Sequence, residues 1–303
     1  MVNEMRALIL RDGMLSLEEL PTQGRYKVRA VGICGTDVAM VKGTYPPRKN
    51  PLILGHEFAV ERDGELYASE INLVDWSCEY CRKGMYTHCV NRKAIGIDVD
   101  GAMREYMDLP NYLLHRDSVG LKPEELSLAE PTAAVLRMVE LLNPSPSDRA
   151  LVLGDGPIGI ISAMILTHYG VEVELKGHNQ GRLDLAEKLG ILTVQNPSTY
   201  DMVVEATGTK ALEEAIKHVK PMGKIALKST HGLEASLNST SVVVNEVQIL
   251  GSRCGPFYLW DRAIRLIKEL RLGRIVSTYP LTEYERAFHD VLQRKVMKAV
   301  LIP

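Results

Sequence analysis

Hydrophobic and polar positions change their period along this chain. In the first third, short apolar or alternating stretches at 6–10 (RALIL), 26–33 (YKVRAVGI) and 59–68 (AVERDGELYA) are broken by Gly, Pro and Asp, which predicts short strands and a largely β domain. Residues 127–142 (SLAEPTAAVLRMVELL) carry apolar side chains at helical spacing, with a proline near the start. From Arg149 the pattern alternates. A buried strand, RALVL, runs into a glycine turn; 158–170 read as a helix ending on glycine, 171–177 as a second strand, and 182–190 as a second helix with a glycine stop. The segments MVVEATG (202–208), KALEEAIKHVK (210–220), KIALKS (224–229) and VQILGS (247–252) continue the alternation. Strand–helix alternation calls for a parallel sheet with right-handed crossovers. The last part holds an amphipathic helix in 258–273 and two strand-like stretches, 274–281 and 296–303, that read as returning to the first domain. The expected division is therefore 1–131 β-rich, 132–257 α/β, and 258–303 a return to the β-rich part.

Composition narrows the class. The 303 residues are 46% hydrophobic and 24% charged, an ordinary globular mixture with room for two domains. A net charge of -2 gives no basic field for nucleic acid or anionic membrane, and no apolar run approaches the length of a membrane span. The N-terminus carries an early acid and no small-residue cleavage site, so it does not read as a signal peptide. A cytoplasmic protein is expected. The cysteines are Cys34, Cys78, Cys81, Cys89 and Cys254. An odd count argues against a disulfide framework, and the Cys78-x2-Cys81-x7-Cys89 spacing is that of metal ligands.

Gly154-Asp155-Gly156-Pro157-Ile158-Gly159 fits G-x-G-x-x-G between a strand and a helix, the context in which that hexapeptide indicates a dinucleotide site. Gly154 permits the tight turn, Gly156 lets backbone approach a pyrophosphate, and Gly159 lets helix and strand pack. Phosphates would meet the helix N-terminus. An NAD site wants an acid at the end of the next strand, and Gly177 stands there, followed by His178, Asn179 and Arg182. A small residue followed by donors and positive charge suits a 2′-phosphate, so NADP is expected, with His178, Asn179 and Arg182 as binders. The other alignment gives the ribose contact to Glu174 and restores NAD.

Cys34 lies in VGICGTD (31–37) and His56 and Glu57 in LGHE (54–57). Thiolate, imidazole and carboxylate are ligand types of catalytic zinc, though each residue alone also reads as core. Taken with CEYCRKGMYTHC (78–89), AEP (129–131) and GDGPIG (154–159), in that order over nearly the whole chain, these strings resemble the zinc-containing medium-chain dehydrogenase/reductase family. The resemblance implies an α/β protein: a GroES-like β-rich catalytic domain plus a doubly wound parallel-sheet Rossmann domain. It implies Cys34 and His56 as catalytic zinc ligands, Glu57 as a ligand or near neighbour, and Glu130 as the third protein position. Thr36 would hand the substrate proton outward; the next relay position, often His in the family, is Ala39. Zinc would polarise the oxygen of an alcohol, polyol or sugar while a hydride passes to or from the nicotinamide.

The family's structural zinc lobe carries four cysteines. Counting back from Cys78, Cys81 and Cys89, the first position here is Asp75, and a second, closed zinc site with that carboxylate is expected. A zinc-finger nucleic-acid module is the rival reading, disfavoured by the absence of a second CxxC pair. Glu105 matches a segment lining the substrate cleft and reads equally as a sugar contact or an ordinary acid. Lys298 and Arg253 read as cofactor contacts or surface charges. Relatives of this kind form dimers, and microbial ones tetramers, with 242–252 as the candidate edge strand. Two other readings stand beside this one: a zinc-free quinone or enone reductase of the same fold, and a non-catalytic relative.

Overall fold

A computed structural model of the chain describes residues 4–208, 211–230 and 234–303. Lys210, at the start of the expected 210–220 helix, lies outside them. The chain divides into two compact units: residues 1–133 together with 254–303, and residues 134–253.

The first unit is built on β-sheet. Strand Tyr26–Gly32 is central: it pairs antiparallel with Glu57–Arg62 on one side and with Lys298–Ile302 on the other. Glu57–Arg62 continues to Glu65–Ser69 and Leu114–Arg116, and Lys298–Ile302 pairs parallel with Val276–Pro280. The C-terminal segment thus supplies two strands to the N-terminal sheet. A smaller sheet pairs Glu4–Arg11 with Met14–Pro21 and Leu52–Ile53. The apolar stretches read from sequence contribute to the unit's core: Leu8, Leu10, Val28, Leu52, Phe58 and Val60 are buried in one apolar cluster. Each such side chain contributes about 1.5–3 kcal/mol by leaving water.

The second unit is a six-stranded parallel sheet. Its spatial order is Leu192–Thr193, Glu172–Lys176, Arg149–Leu153, Tyr200–Glu205, Val219–Leu227, Gln248–Gly251. In order of appearance that is 3-2-1-4-5-6, the doubly wound dinucleotide-binding arrangement. Helix Pro157–His168 follows the first strand and Gln180–Lys188 the second, so the glycine turn sits at the carboxyl ends of the strands, where such sheets bind ligands. One expectation needs correcting. The 242–252 segment is not one edge strand: Ser239–Val244 is helical, capped by the Asn238 side chain accepting from Ser241 N (3.2 Å), and only Gln248–Gly251 forms the edge.

Candidate active site

Cys34 is the N-cap of the short helix Gly35–Val41. Three residues on, the Asp37 carboxylate turns back and accepts from the Cys34 backbone N–H at 2.8 Å. That bond satisfies a helix-end donor and fixes the loop from which the thiol projects. The other Asp37 oxygen, Oδ1, lies 3.5 Å from His56 Nδ1. Both atoms are buried, and neither has a hydrogen-bond partner among the described residues. His56 follows Gly55, whose φ of +97° suits glycine and whose absent side chain would collide with Val31 and Met103.

Glu57 opens its strand in register with Gly32. A Cβ on Gly32 would come within 2.8 Å of Glu57 Oε2 and 2.9 Å of Lys298 Cε, so glycine there makes room for a buried ion pair. Lys298 Nζ donates to Glu57 Oε2 and, at 3.0 Å, to the Ile33 carbonyl.

One ligand atom from each of Cys34, His56 and Glu57 can be chosen so that all lie within 4.8 Å of one another. Glu130, the second residue of helix Ala129–Leu142, is outside that group. Thr36 Oγ1 lies 3.9 Å from Cys34 Sγ. Burial works against a charged His56, yet the Asp37 carboxylate and the Cys34 sulfur beside it hold its pKa well above the ordinary imidazole value. Burial likewise opposes the Lys298 charge, and Glu57, Cys34 and Asp37 outweigh it and raise its pKa. Sulfur, imidazole and carboxylate donors converging in a buried spot, with two orphaned polar atoms behind them, fit a zinc ion.

The second cluster is also assembled. Cys78 and Cys81 Sγ lie 3.5 Å apart, and Asp75 Oδ1 stands 3.4 Å from Cys89 Sγ and 3.9 Å from Cys81 Sγ. Asp75 is held by the Asn91 side-chain amide and the Ser77 N–H, which keep its carboxyl well below the usual range. The backbone N–H groups of Cys81 and Val90 pull the Cys78 thiol down to about 7. Burial pushes Cys81 up to about 12. All five cysteines are free thiols, and this donor set is that of a closed metal site. Beneath it, the Tyr86 hydroxyl donates to Glu70 Oε2 and accepts from Phe257 N at 2.6 Å, while His115 Nε2 lies 3.0 Å from Glu70 Oε1.

In the second unit, Gly154 has φ +119°, and a Cβ there would strike the Ala206 carbonyl at 2.4 Å. One on Gly159 would strike the Gly154 carbonyl at 1.9 Å. Gly156, the N-cap of helix Pro157–His168, has nothing among the described residues within 4 Å of the same position. Backbone packs tightly on two sides of the turn and is open on the third, which is the cradle a pyrophosphate needs. Pro157 occupies a first-turn position of that helix, where its missing N–H costs nothing, and Ile158 follows it.

Beyond Gly177, His178 and Asn179 turn their backbone N–H groups to Asp155, the Asn179 side chain caps the next helix, and Arg182 lies 3.7 Å from Asp155. Glu174, the alternative ribose contact, accepts from the Tyr200 hydroxyl and lies 3.6 Å from Arg149. Both partners open their strands, so the Glu174 carboxylate points away from the glycine turn. Glu105 accepts from Arg6 N (2.7 Å), Nε (3.1 Å) and the terminal guanidinium nitrogen (2.8 Å). Lys298 is buried against Glu57 and is not a surface charge. Sequence reasoning assigned no role to Asp37 or Asp155. The signal for the first is its place three residues after a helix-capping cysteine; nothing in the glycine motif distinguishes the second.

The alcohol dehydrogenase GroES-like domain matches residues 21–118, and the zinc-binding dehydrogenase domain matches residues 157–269. The chain is 26% identical to the sorbitol dehydrogenase of Halalkalibacterium halodurans, over 93% of each chain. It is 29% identical to the D-arabitol-phosphate dehydrogenase of Enterococcus avium, over 91% of this chain and 88% of the other. Among solved structures, a zinc-binding dehydrogenase of Sinorhizobium meliloti bound to NADP superposes with a TM-score of 0.89 at 25% identity, covering 99% of this chain and all of that one. An alcohol dehydrogenase of Escherichia coli complexed with NADH gives 0.90 at 22% identity, with 99% coverage of both, which speaks to the fold. With both domains matched in order and relatives aligned end to end, the chain belongs to the zinc-type medium-chain dehydrogenase family.

Proposed function

We propose that this chain is a zinc-dependent oxidoreductase that moves a hydride between an alcohol, polyol or sugar hydroxyl and NAD(P). The convergence of Cys34, His56 and Glu57 carries this reading, and the sorbitol and arabitol-phosphate dehydrogenases among its relatives support the substrate class. Zinc, when bound, supplies a Lewis acid that polarises a hydroxyl or carbonyl oxygen.

The protein's part is arrangement. Asp37 faces His56 Nδ1, so the other ring nitrogen would be the one to hold a metal, with the carboxylate orienting the ring. Glu57 Oε2 is engaged by Lys298, so Oε1 would be the oxygen free for a metal, and Glu130, outside the assembled group, would be a further carboxylate by the family resemblance alone. Thr36 Oγ1, beside Cys34, is the hydroxyl through which the substrate proton leaves. With Ala39 next in the relay direction, no side chain there takes the proton and it passes to solvent or to the cofactor ribose. The glycine turn at 154–159 holds the dinucleotide phosphates. Asp75, Cys78, Cys81 and Cys89 hold a second zinc that serves folding.

Five free thiols fit a cytoplasmic setting, and no helix among the described residues is long and apolar enough to cross a membrane. Edge strand Gln248–Gly251 and the neighbouring Val243 and Val244, 74% and 73% exposed, support assembly into a homodimer or homotetramer.

The test is a panel of primary and secondary alcohols, polyols and aldoses with both cofactors, alongside Cys34→Ala. The variant should lose turnover and about one zinc per chain by the four-ligand logic of such sites, and keep dinucleotide binding. Full turnover in Cys34→Ala, or in protein stripped of metal, would sink the proposal.

A further inference from the structure

The glycine turn carries a carboxylate that its motif does not require. Asp155 is only 7% exposed. Its Oδ2 accepts from His178 N at 2.6 Å and Asn179 N at 2.9 Å, the donors at the mouth of helix Gln180–Lys188. Its Oδ1 lies 3.7 Å from the Arg182 guanidinium, whose side chain is 12% exposed. Asn179 Oδ1 is spent on Arg182 N at 3.0 Å, and Lys176 Nζ on Glu214 at 2.7 Å. The Lys176 and Arg182 charges and the His178 and Asn179 N–H groups, which would greet a 2′-phosphate, each face one of the protein's own acids. Gly177 completes the picture. A Cβ there would come within 2.5 Å of Asp155 Cβ and 2.6 Å of Oδ2, so the Asp155 carboxyl group fills the volume of a side chain at the end of strand Glu172–Lys176.

From this geometry, and resting on the dinucleotide reading above, we infer that Asp155 sets cofactor choice, standing in for the strand-end acid and selecting an unmodified adenosine ribose over a 2′-phosphorylated one. This reverses the expectation drawn from His178, Asn179 and Arg182. A phosphate brings close to two negative charges, and beside a nearly buried carboxylate it meets like charge at a helix mouth where the His178 and Asn179 N–H groups are already taken by Asp155. A ribose diol brings no charge and can donate to the same carboxylate.

The probes are 5′-AMP and 2′,5′-ADP, titrated calorimetrically into the full chain, with NADH and NADPH fluorescence in parallel. None of these readouts needs turnover. Wild-type protein should bind 5′-AMP and NADH about tenfold or more tighter than their 2′-phosphorylated counterparts, the scale of one nearby like charge. Asp155→Asn, which keeps the shape and removes the charge, should tighten 2′,5′-ADP by about tenfold and weaken 5′-AMP, whose ribose diol loses its carboxylate acceptor, so that the ratio of the two affinities swings toward the phosphorylated ligand. Tighter binding of 2′,5′-ADP by the wild type overturns the inference whether or not the variant folds. So does an unchanged ratio of the two affinities in a folded Asp155→Asn protein. Both outcomes leave the nucleotide site standing. Failure of the wild type to bind any of the four brings down the dinucleotide reading, and this inference with it.

Discussion

Lys298 and Glu57 join the last strand of the chain to strand Glu57–Arg62 by an ion pair in which each side chain is only 3% exposed. The ammonium also donates to the Ile33 carbonyl, one residue before Cys34. A buried pair of this kind adds little net stability over an apolar pair, but breaking it strands a charge. Lys298→Ala should therefore cost about 3–5 kcal/mol in denaturant unfolding. The double variant Lys298→Met with Glu57→Gln should recover most of that loss. An additive double variant would show that the two side chains do not act as a pair.

The Tyr86 hydroxyl ties the cysteine lobe to the segment that begins the C-terminal return, accepting from Phe257 N and donating to Glu70. Glu70 in turn meets His115, whose ring stacks on Trp260 with centroids 4.7 Å apart. Tyr86→Phe leaves both the Phe257 donor and a Glu70 oxygen without that partner. A loss of about 1–3 kcal/mol is expected, with Glu70→Gln partly compensating in the double variant because the neutral amide is cheaper to leave underpaired. Equal losses in the single and double variants would remove the coupling.

Much of this was legible in the sequence because periodicity and ligand spacing are local. Alternation at 26–33 and 59–68, the strand–glycine–helix pattern at 149–170, and the 78–81–89 cysteines each fix chemistry over a few residues. What could not be read depends on pairing at long range. Lys298 reads as a surface or cofactor cation until strand pairing brings it to Glu57, 241 residues away. Arg182 reads as a phosphate ligand or a solvated surface residue, and Glu105 equally as a sugar contact or an ordinary acid; the fold sets the first 3.7 Å from Asp155 and pairs the second with Arg6. In each case a charge available in the sequence is already matched by an opposite charge that only the fold brings near.

Metal removal should act on the lobe before it acts on the sheet. Cys78, Cys81, Cys89 and Asp75 share one small cluster, and withdrawing a cation from it leaves thiolates to reprotonate or react. Chelation should make three thiols alkylatable within 75–91, read by peptide mass spectrometry, while amides of strands Tyr26–Gly32 and Glu57–Arg62 keep their exchange protection. Asp75→Ala should lower zinc content by about one ion per chain and leave dinucleotide binding intact. Unaltered zinc content in that variant would remove Asp75 from the ligand set.

Glu105 offers a test in which stability and substrate recognition part company. Its carboxylate accepts three bonds from Arg6; burial raises its pKa, but the Arg6 N–H and guanidinium outweigh that and leave it lowered. A carboxyl group whose folded pKa is depressed stabilises the protein above its unfolded value of about 4.3, and that contribution drains away as pH falls through the folded pKa. Wild-type protein should therefore be more stable than Glu105→Gln at pH 7, and the gap should begin to narrow as pH falls below the unfolded value of about 4.3, closing once the folded carboxylate is protonated too. Because the carboxylate is committed to Arg6, KM for polyols should move by less than about twofold, a shift well under the 1.4 kcal/mol of a tenfold change. A large rise in KM with no change in stability would instead make Glu105 a substrate contact, and the Arg6 bond a resting arrangement that substrate displaces.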